Sequence, residues 1–189
     1  MSESPVKLEL IAILDEVFRR RGYDGATLSL LSRACGLGKA SLYHHFPGGK
    51  DEMADVLLQR AIAELNEVAY RHLDRPAPWN QRLRAFVDGF AVYCENGTRN
   101  CLVAELTASA ARARFAQPIQ AQTNAWLRQL TAAFAETGIS KKRARRRARE
   151  LLGSLYGALV VARMVDDPKP FLQTVERLSK GFAAEHHAP

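Results

Sequence analysis

The chain has 189 residues, enough to bury a sizeable core, and its 47% hydrophobic and 25% charged content excludes a disordered or fibrous protein. Three cysteines (Cys35, Cys94 and Cys101) are odd in number and too sparse for a disulfide scaffold, so they read as reduced thiols. The formal charge of +7 and a pI near 9.6 favour an anionic partner, a weak signal by itself.

Taken from its start, MSESPVKLEL lacks the basic and apolar regions of a signal peptide. Helical spacing dominates and β alternation is absent. Leu10, Leu14, Val17 and Phe18 fall on one face of a first helix that Gly22 stops. Thr27 is an N-cap for a short second helix with Leu28, Leu31 and Cys35 inward. Gly36 breaks it, Leu37 plugs the turn, and a third helix spans about Lys39 to Phe46. After Pro47-Gly48-Gly49, a long helix is predicted from Lys50 to Leu73, opening with Asp51 and Glu52 where carboxylates suit a helix N-terminus. A fifth helix is expected over Trp79 to Glu95 and a shorter one over Cys101 to Ala111. Another has Pro118 in its first turn, carries Trp126, Leu130, Ala133 and Phe134 on one stripe, and stops near Gly138. The basic run from Lys141 leads into an apolar helix ending near Val165. Its stretch from Leu151 to Ala162 is the longest uncharged apolar run, short of the roughly 20 residues that span a bilayer. A last amphipathic helix holds Leu172, Val175, Leu178, Ser179 and Phe182, and the tail EHHAP should fray. The expectation is an all-α, soluble, cytoplasmic chain with no membrane contact.

The stretch ACGLGKASLYHHFPGGK places two histidines and a tyrosine between glycine breaks. Adjacent helical residues diverge by about 100°, so His44 and His45 cannot aim at one metal. No His-x3-His or Cys-x2-Cys pair completes a site, so no metal, cofactor or catalytic residue is expected. An all-helical enzyme using a dispersed Cys or His is the alternative from another class. With Leu42 and Phe46 inward, Lys39, Ala40, Tyr43 and His44 share the outer face of the third helix. Two short helices about a glycine turn form a helix-turn-helix, whose second helix enters the DNA major groove. A cation, a small residue, a phenol and an imidazole are the groups that task needs.

These residues, TLSLLSRACGLGKASLYHHFPGGKDEM, resemble the helix-turn-helix of the TetR/AcrR family of one-component repressors. Thr27, Gly36-Leu37, LYHHF and the following lysine carry the resemblance. FPGGK and GALVVARMVDDP resemble the LmrA/YxaF-like subgroup. The resemblance implies phosphate contacts from Thr27, Tyr43 and Lys50, base-edge contacts from Lys39, Ala40 and His44, and His45 beside the backbone. Ser41 lies in the same DNA-binding set. Gly38 and Ala40 stand where the family often has a serine or threonine cap and a glycine.

Residues 1–60 carry eight cations and eight acids, yet between 19 and 50 six cations oppose only Asp24. The head is thus locally basic without the run at 141–149, which holds seven cations in nine positions. That run is expected to form a solvated helix end, with an auxiliary DNA contact or an acidic partner as the alternative. Cys94 and Cys101 read as buried small hydrophobes, with a redox pair as the alternative.

The stretch LLGSLYGALVVARM is apolar almost all round, which implies burial on several sides. Gly153, Gly157 and Ala158 permit close approach, and Leu152, Leu155, Tyr156, Leu159 and Arg163 form the opposite stripe. With Leu172 and Val175 of the last helix they are expected to build a two-fold, four-helix homodimer interface, the arrangement the resemblance implies. Phe86, Phe90, Tyr93, Cys94, Trp126, Phe134 and Tyr156 either line an effector cavity or form ordinary core; only the resemblance favours the cavity. The expected organisation is a helix-turn-helix head over 1–52 and a ligand-binding, dimerising body over 53–189. Its expected function is a regulator, a repressor released from a palindromic operator by a small apolar effector, with a constitutive DNA binder as the alternative.

Overall fold

Leu10, Leu14 and Phe18 are buried along one side of the first helix, α1 (Pro5–Gly25), as their spacing predicts, while Val17 is half-buried and Ile11 joins the buried side. In the computed structural model, residues 5–184 are described and are helical wherever regular; the EHHAP tail lies outside them. Gly22 takes φ 64°, a left-handed conformation that favours glycine, so the expected stop is a kink before a last turn. The second helix, α2 (Leu28–Ala34), starts at Thr27, whose Oγ1 accepts the Leu30 N–H at 3.2 Å. It ends in a Schellman-type stop: Gly36 has φ 64° and the Leu37 N–H returns to the Ser32 carbonyl at 3.1 Å. α3 (Lys39–His45) follows after a short turn, with Leu42 and Phe46 buried.

α4 (Gly49–Val68) has Asp51 and Glu52 in its first turn, and the Glu52 carboxylate accepts the Gly48 N–H at 2.7 Å. The helix stops earlier than predicted, and Tyr70–Asp74 forms a 3-10 turn instead. At this point α5 (Trp79–Tyr93) comes close: a Cβ on buried Gly89 would sit 1.9 Å from the Val68 carbonyl oxygen, so this backbone approach excludes any side chain there. α6 (Leu102–Ala108) is shorter than expected because the chain turns extended at Ser109, whose hydroxyl donates to the Leu106 carbonyl at 2.9 Å. α7 (Arg112–Ala135) begins earlier than expected, leaving Pro118 inside the helix rather than in its first turn. α8 (Lys141–Met164), N-capped by Ser140, and α9 (Lys169–Ala184) match their predicted spans.

The chain divides into two compact units, one made of the described residues of Met1–Ile62 with Asn100–Ile119, the other of Ala63–Arg99 with the described residues of Gln120–Pro189. Polar contacts join the two stretches of the first unit. In the first unit Arg19, only 2% exposed, pairs with Asp15 at 2.6 Å and donates to the Asn100 carbonyl at 2.6 Å. Asn100 returns its Nδ2 to the Arg19 carbonyl at 2.8 Å, and Asp24 accepts the Ala110 N–H at 2.9 Å. Residues 100–110 are therefore bound to α1. In the second unit α5, α8 and α9 surround an aromatic core: Tyr70 stacks on Trp126 at 4.6 Å, and Phe90 touches Phe86, Tyr93, Tyr156 and Phe171.

Candidate nucleic-acid interface

α3 is held by two apolar side chains, Leu42 at 1% exposure and its C-cap Phe46 at 0%. Everything else that α3 presents at its start and middle is open: Lys39, Ala40, Ser41, Tyr43 and His44 are exposed, and His45 is half-buried. This is the separation predicted from the i, i+4 spacing. Tyr43 is seated by the break that follows. Gly49 takes φ 64°, and a Cβ there would meet the Tyr43 ring at 3.1 Å, so the missing side chain lets the phenol lie against the turn. The His44 and His45 rings meet edge to face at 5.7 Å.

Thr27 is exposed and spends one lone pair on its own helix, keeping a hydroxyl hydrogen for an outside acceptor. Lys50 is more committed than the resemblance implied. Its Nζ donates to the Tyr23 carbonyl at 2.9 Å and lies 4.1 Å from the centre of the Tyr23 ring, so its first task is to tie α4 to the end of α1. The Tyr23 hydroxyl in turn donates to Asp51, which Arg114 approaches at 3.3 Å while also binding Asp55. Burial, then the Asp51 hydrogen bond, push the Tyr23 phenol up to about 12, which keeps it a donor. Arg33, exposed in the last turn of α2, is a cation near the turn that no sequence motif singled out. The outer face of α3 thus offers an ammonium, two hydroxyls, an imidazole and a methyl group on a buried support, a donor set for phosphates and base edges.

The other expected sites lie in the second unit. Phe86, Phe90, Tyr93, Cys94 and Trp126 are at most 2% exposed and Tyr156 is half-buried; they pack on one another as core. Trp126 donates its indole N–H to Asn66 at 2.6 Å, satisfying its one polar group. Cys94 and Cys101 are both buried, as small hydrophobes would be, and burial pushes the Cys35 thiol up.

The expected interface residues differ in exposure. Leu152, Leu155 and Leu159 are at most 8% exposed in a single chain, because the larger side chains of α8 face its own core. Tyr156 and Val175 are half-buried, and only Arg163 and Leu172 are exposed. The open apolar face is the one carrying the glycines. Gly153 and Gly157 are exposed, with nothing within 4 Å of a built Cβ, and Val160, Val161, Met164 and Val165 are between 45% and 79% exposed. Among the described residues no group of three His, Cys, Asp or Glu could hold a metal, and no helix is long and apolar enough to cross a membrane.

Residues 10–57 match the family model of the bacterial regulatory proteins of the tetR family. The chain is 35% identical over 54 residues to the HTH-type transcriptional regulator LmrA of Bacillus subtilis, a match spanning 29% of either chain. It shares its fold with a TetR transcriptional regulator from Chloroflexus aurantiacus, at TM-score 0.76 and 20% identity over 93% of this chain and 92% of that one. It is also similar to AibR, solved in complex with isovaleryl coenzyme A and operator DNA, at TM-score 0.63 and 18% identity over 80% of this chain and 86% of that one. The all-helical fold with its N-terminal helix-turn-helix is that of the TetR family, and the family model matches the head.

Proposed function

We propose that the chain is a DNA-binding transcriptional regulator of the TetR type that acts as a two-fold dimer, with α3 reading the major groove of a palindromic operator. The observation that carries this reading is the outer face of α3, where Lys39, Ala40, Ser41, Tyr43 and His44 are exposed over buried Leu42 and Phe46. The FPGGK turn and the LmrA match support the LmrA/YxaF-like subgroup.

Dimerisation through the outer face of α8 is part of the same proposal. Gly153 and Gly157 each weaken a helix by about 1 kcal/mol relative to alanine, and packing within the chain does not require either. A second helix approaching that face would make use of both. Response to a small effector is supported by AibR, which is solved with both a coenzyme A thioester and its operator; release of DNA is the form of response proposed. A constitutive DNA binder is the second reading, favoured by the aromatic core, whose rings fill their space against one another.

Titration of operator DNA with wild type and Tyr43→Ala tests the reader. Tyr43 is 43% exposed, so its loss should leave the circular dichroism unchanged while weakening operator binding by about 1–3 kcal/mol. Unchanged affinity in a folded variant would remove α3 from the interface.

A further inference from the structure

The run from Lys141 to Arg149 is poorly suited to the helix it occupies. α8 starts at Lys141, so three of the seven cations, Lys141, Lys142 and Arg143, sit in its first turn at the positive end of its dipole. Like charges also face each other four residues apart, as in Lys141 with Arg145 and Arg145 with Arg149. Among the described residues, ion pairing leaves five of the seven without a carboxylate. Arg146 reaches Glu150 at 3.4 Å between side chains that are 67% and 61% exposed. Lys141, Lys142, Arg143, Arg145 and Arg149 have no carboxylate partner among the described residues. Ala144 and Ala148, both fully buried, fix the helix to its unit, and the unpaired cations stand outward around it.

Two hollows follow these side chains. One, of about 720 Å³, is lined by cations alone: Lys141, Lys142, Arg143, Arg145, Arg146 and Arg149. The other, of about 610 Å³, carries Lys141, Arg145 and Arg149 onto α7, where Arg128 adds a cation and Asn124 and Thr131 add polar groups.

We propose that this cationic collar is a second binding surface for duplex nucleic acid, independent of sequence and additional to α3. Five of the seven cations are arginines, whose forked donors match phosphate oxygens in pairs. A duplex presents one negative charge per roughly 1.7 Å of axis, a density that can engage cations on several sides of one helix. Neither hollow is lined by an aromatic ring, so single-stranded bases find no stacking platform. The only apolar residues in the run, Ala144 and Ala148, face inward, so nothing from it inserts into a lipid surface. Contacts limited to phosphates position a duplex without reading its bases.

The test uses the full chain with Lys39→Ala and Tyr43→Ala together, which silences α3 and separates this surface from the operator reading. That protein should still bind a duplex lacking the operator, and binding should weaken steeply with salt. Adding Lys142→Gln, Arg145→Gln and Arg149→Gln should weaken duplex binding on the order of tenfold or more at low salt. It should also flatten the slope of log affinity against log salt by roughly 0.9 for each phosphate no longer neutralised. The charge-preserving Arg145→Lys with Arg149→Lys should keep the slope, and circular dichroism should match throughout, because all these positions are exposed. An unchanged slope in the glutamine variant would overturn the proposal. So would binding of polyglutamate, or of vesicles rich in anionic lipid, as tight as that of the duplex. Loss of operator binding by Tyr43→Ala alone bears only on α3.

Discussion

A single missing side chain decides the geometry of the second unit. Gly89 is buried, its φ lies outside the left-handed range, and what it supplies is room: the Val68 carbonyl passes where a methyl group would be. Gly89→Ala should therefore destabilise by about 3 kcal/mol, at the upper end of overpacking costs, because the obstacle is backbone and cannot rotate away. In a chain of this size that lowers the melting temperature by roughly 6–12 °C. A thermal melt of the alanine variant superimposing on wild type would mean the chain at Val68 yields freely. Gly49 plays a comparable part in the head, with a different neighbour, the Tyr43 ring, and it also needs its positive φ. These two glycines look alike in sequence, yet one serves packing within the chain and the other aims a side chain outward.

At the scale of elements, legibility follows how local the determinants are. Thr27, Gly36 and the Pro-Gly-Gly break each act within a few residues, so α2 and α3 and their outer face are readable from the sequence, down to the cap on Leu30. The end of α4 is not, for it lies against Gly89, a contact well beyond it along the chain. The same holds for Lys50, whose ammonium is drawn to the Tyr23 carbonyl and ring, contacts between distant stretches that no spacing encodes. α8 misleads for another reason. It is apolar nearly all round, so periodicity does not say which stripe faces inward, and the larger side chains expected at the interface belong to the chain's own core. The glycine face left over makes a cleaner test than the leucines. Gly157→Glu adds a side chain into open space within one chain and replaces a weak helix former, so the monomer should keep its fold. Across a dimer seam the same carboxylate would be buried and unpaired, a cost of about 3–5 kcal/mol. Sedimentation should find a wild-type dimer and a folded monomeric variant; a variant that stays dimeric would move the interface off this face.

At the scale of the whole molecule, the proposed regulator must couple two binding events, and that coupling has a fixed form. A dimer reading a palindrome needs its two α3 helices in successive major grooves, roughly 34 Å apart. An effector that releases DNA must favour an arrangement of the heads unable to meet that spacing, since a ligand with equal affinity for both arrangements shifts nothing. The core around Phe90, Tyr93 and Trp126 is filled by its own rings, so an apolar ligand entering there would have to displace them. That displacement would be the source of its preference for one arrangement. Linkage then makes the effect reciprocal: operator DNA should weaken effector binding by the same factor by which effector weakens operator binding. A factor of about 100 corresponds to about 2.7 kcal/mol, within the range of allosteric couplings. Calorimetric titration of an apolar acyl thioester with and without saturating operator, and of operator with and without saturating thioester, measures both arms. Matching factors would establish the ligand-responsive reading. Equal effector affinity with and without operator, or no binding in either, would leave the packed aromatic core as core and the chain as a constitutive DNA binder.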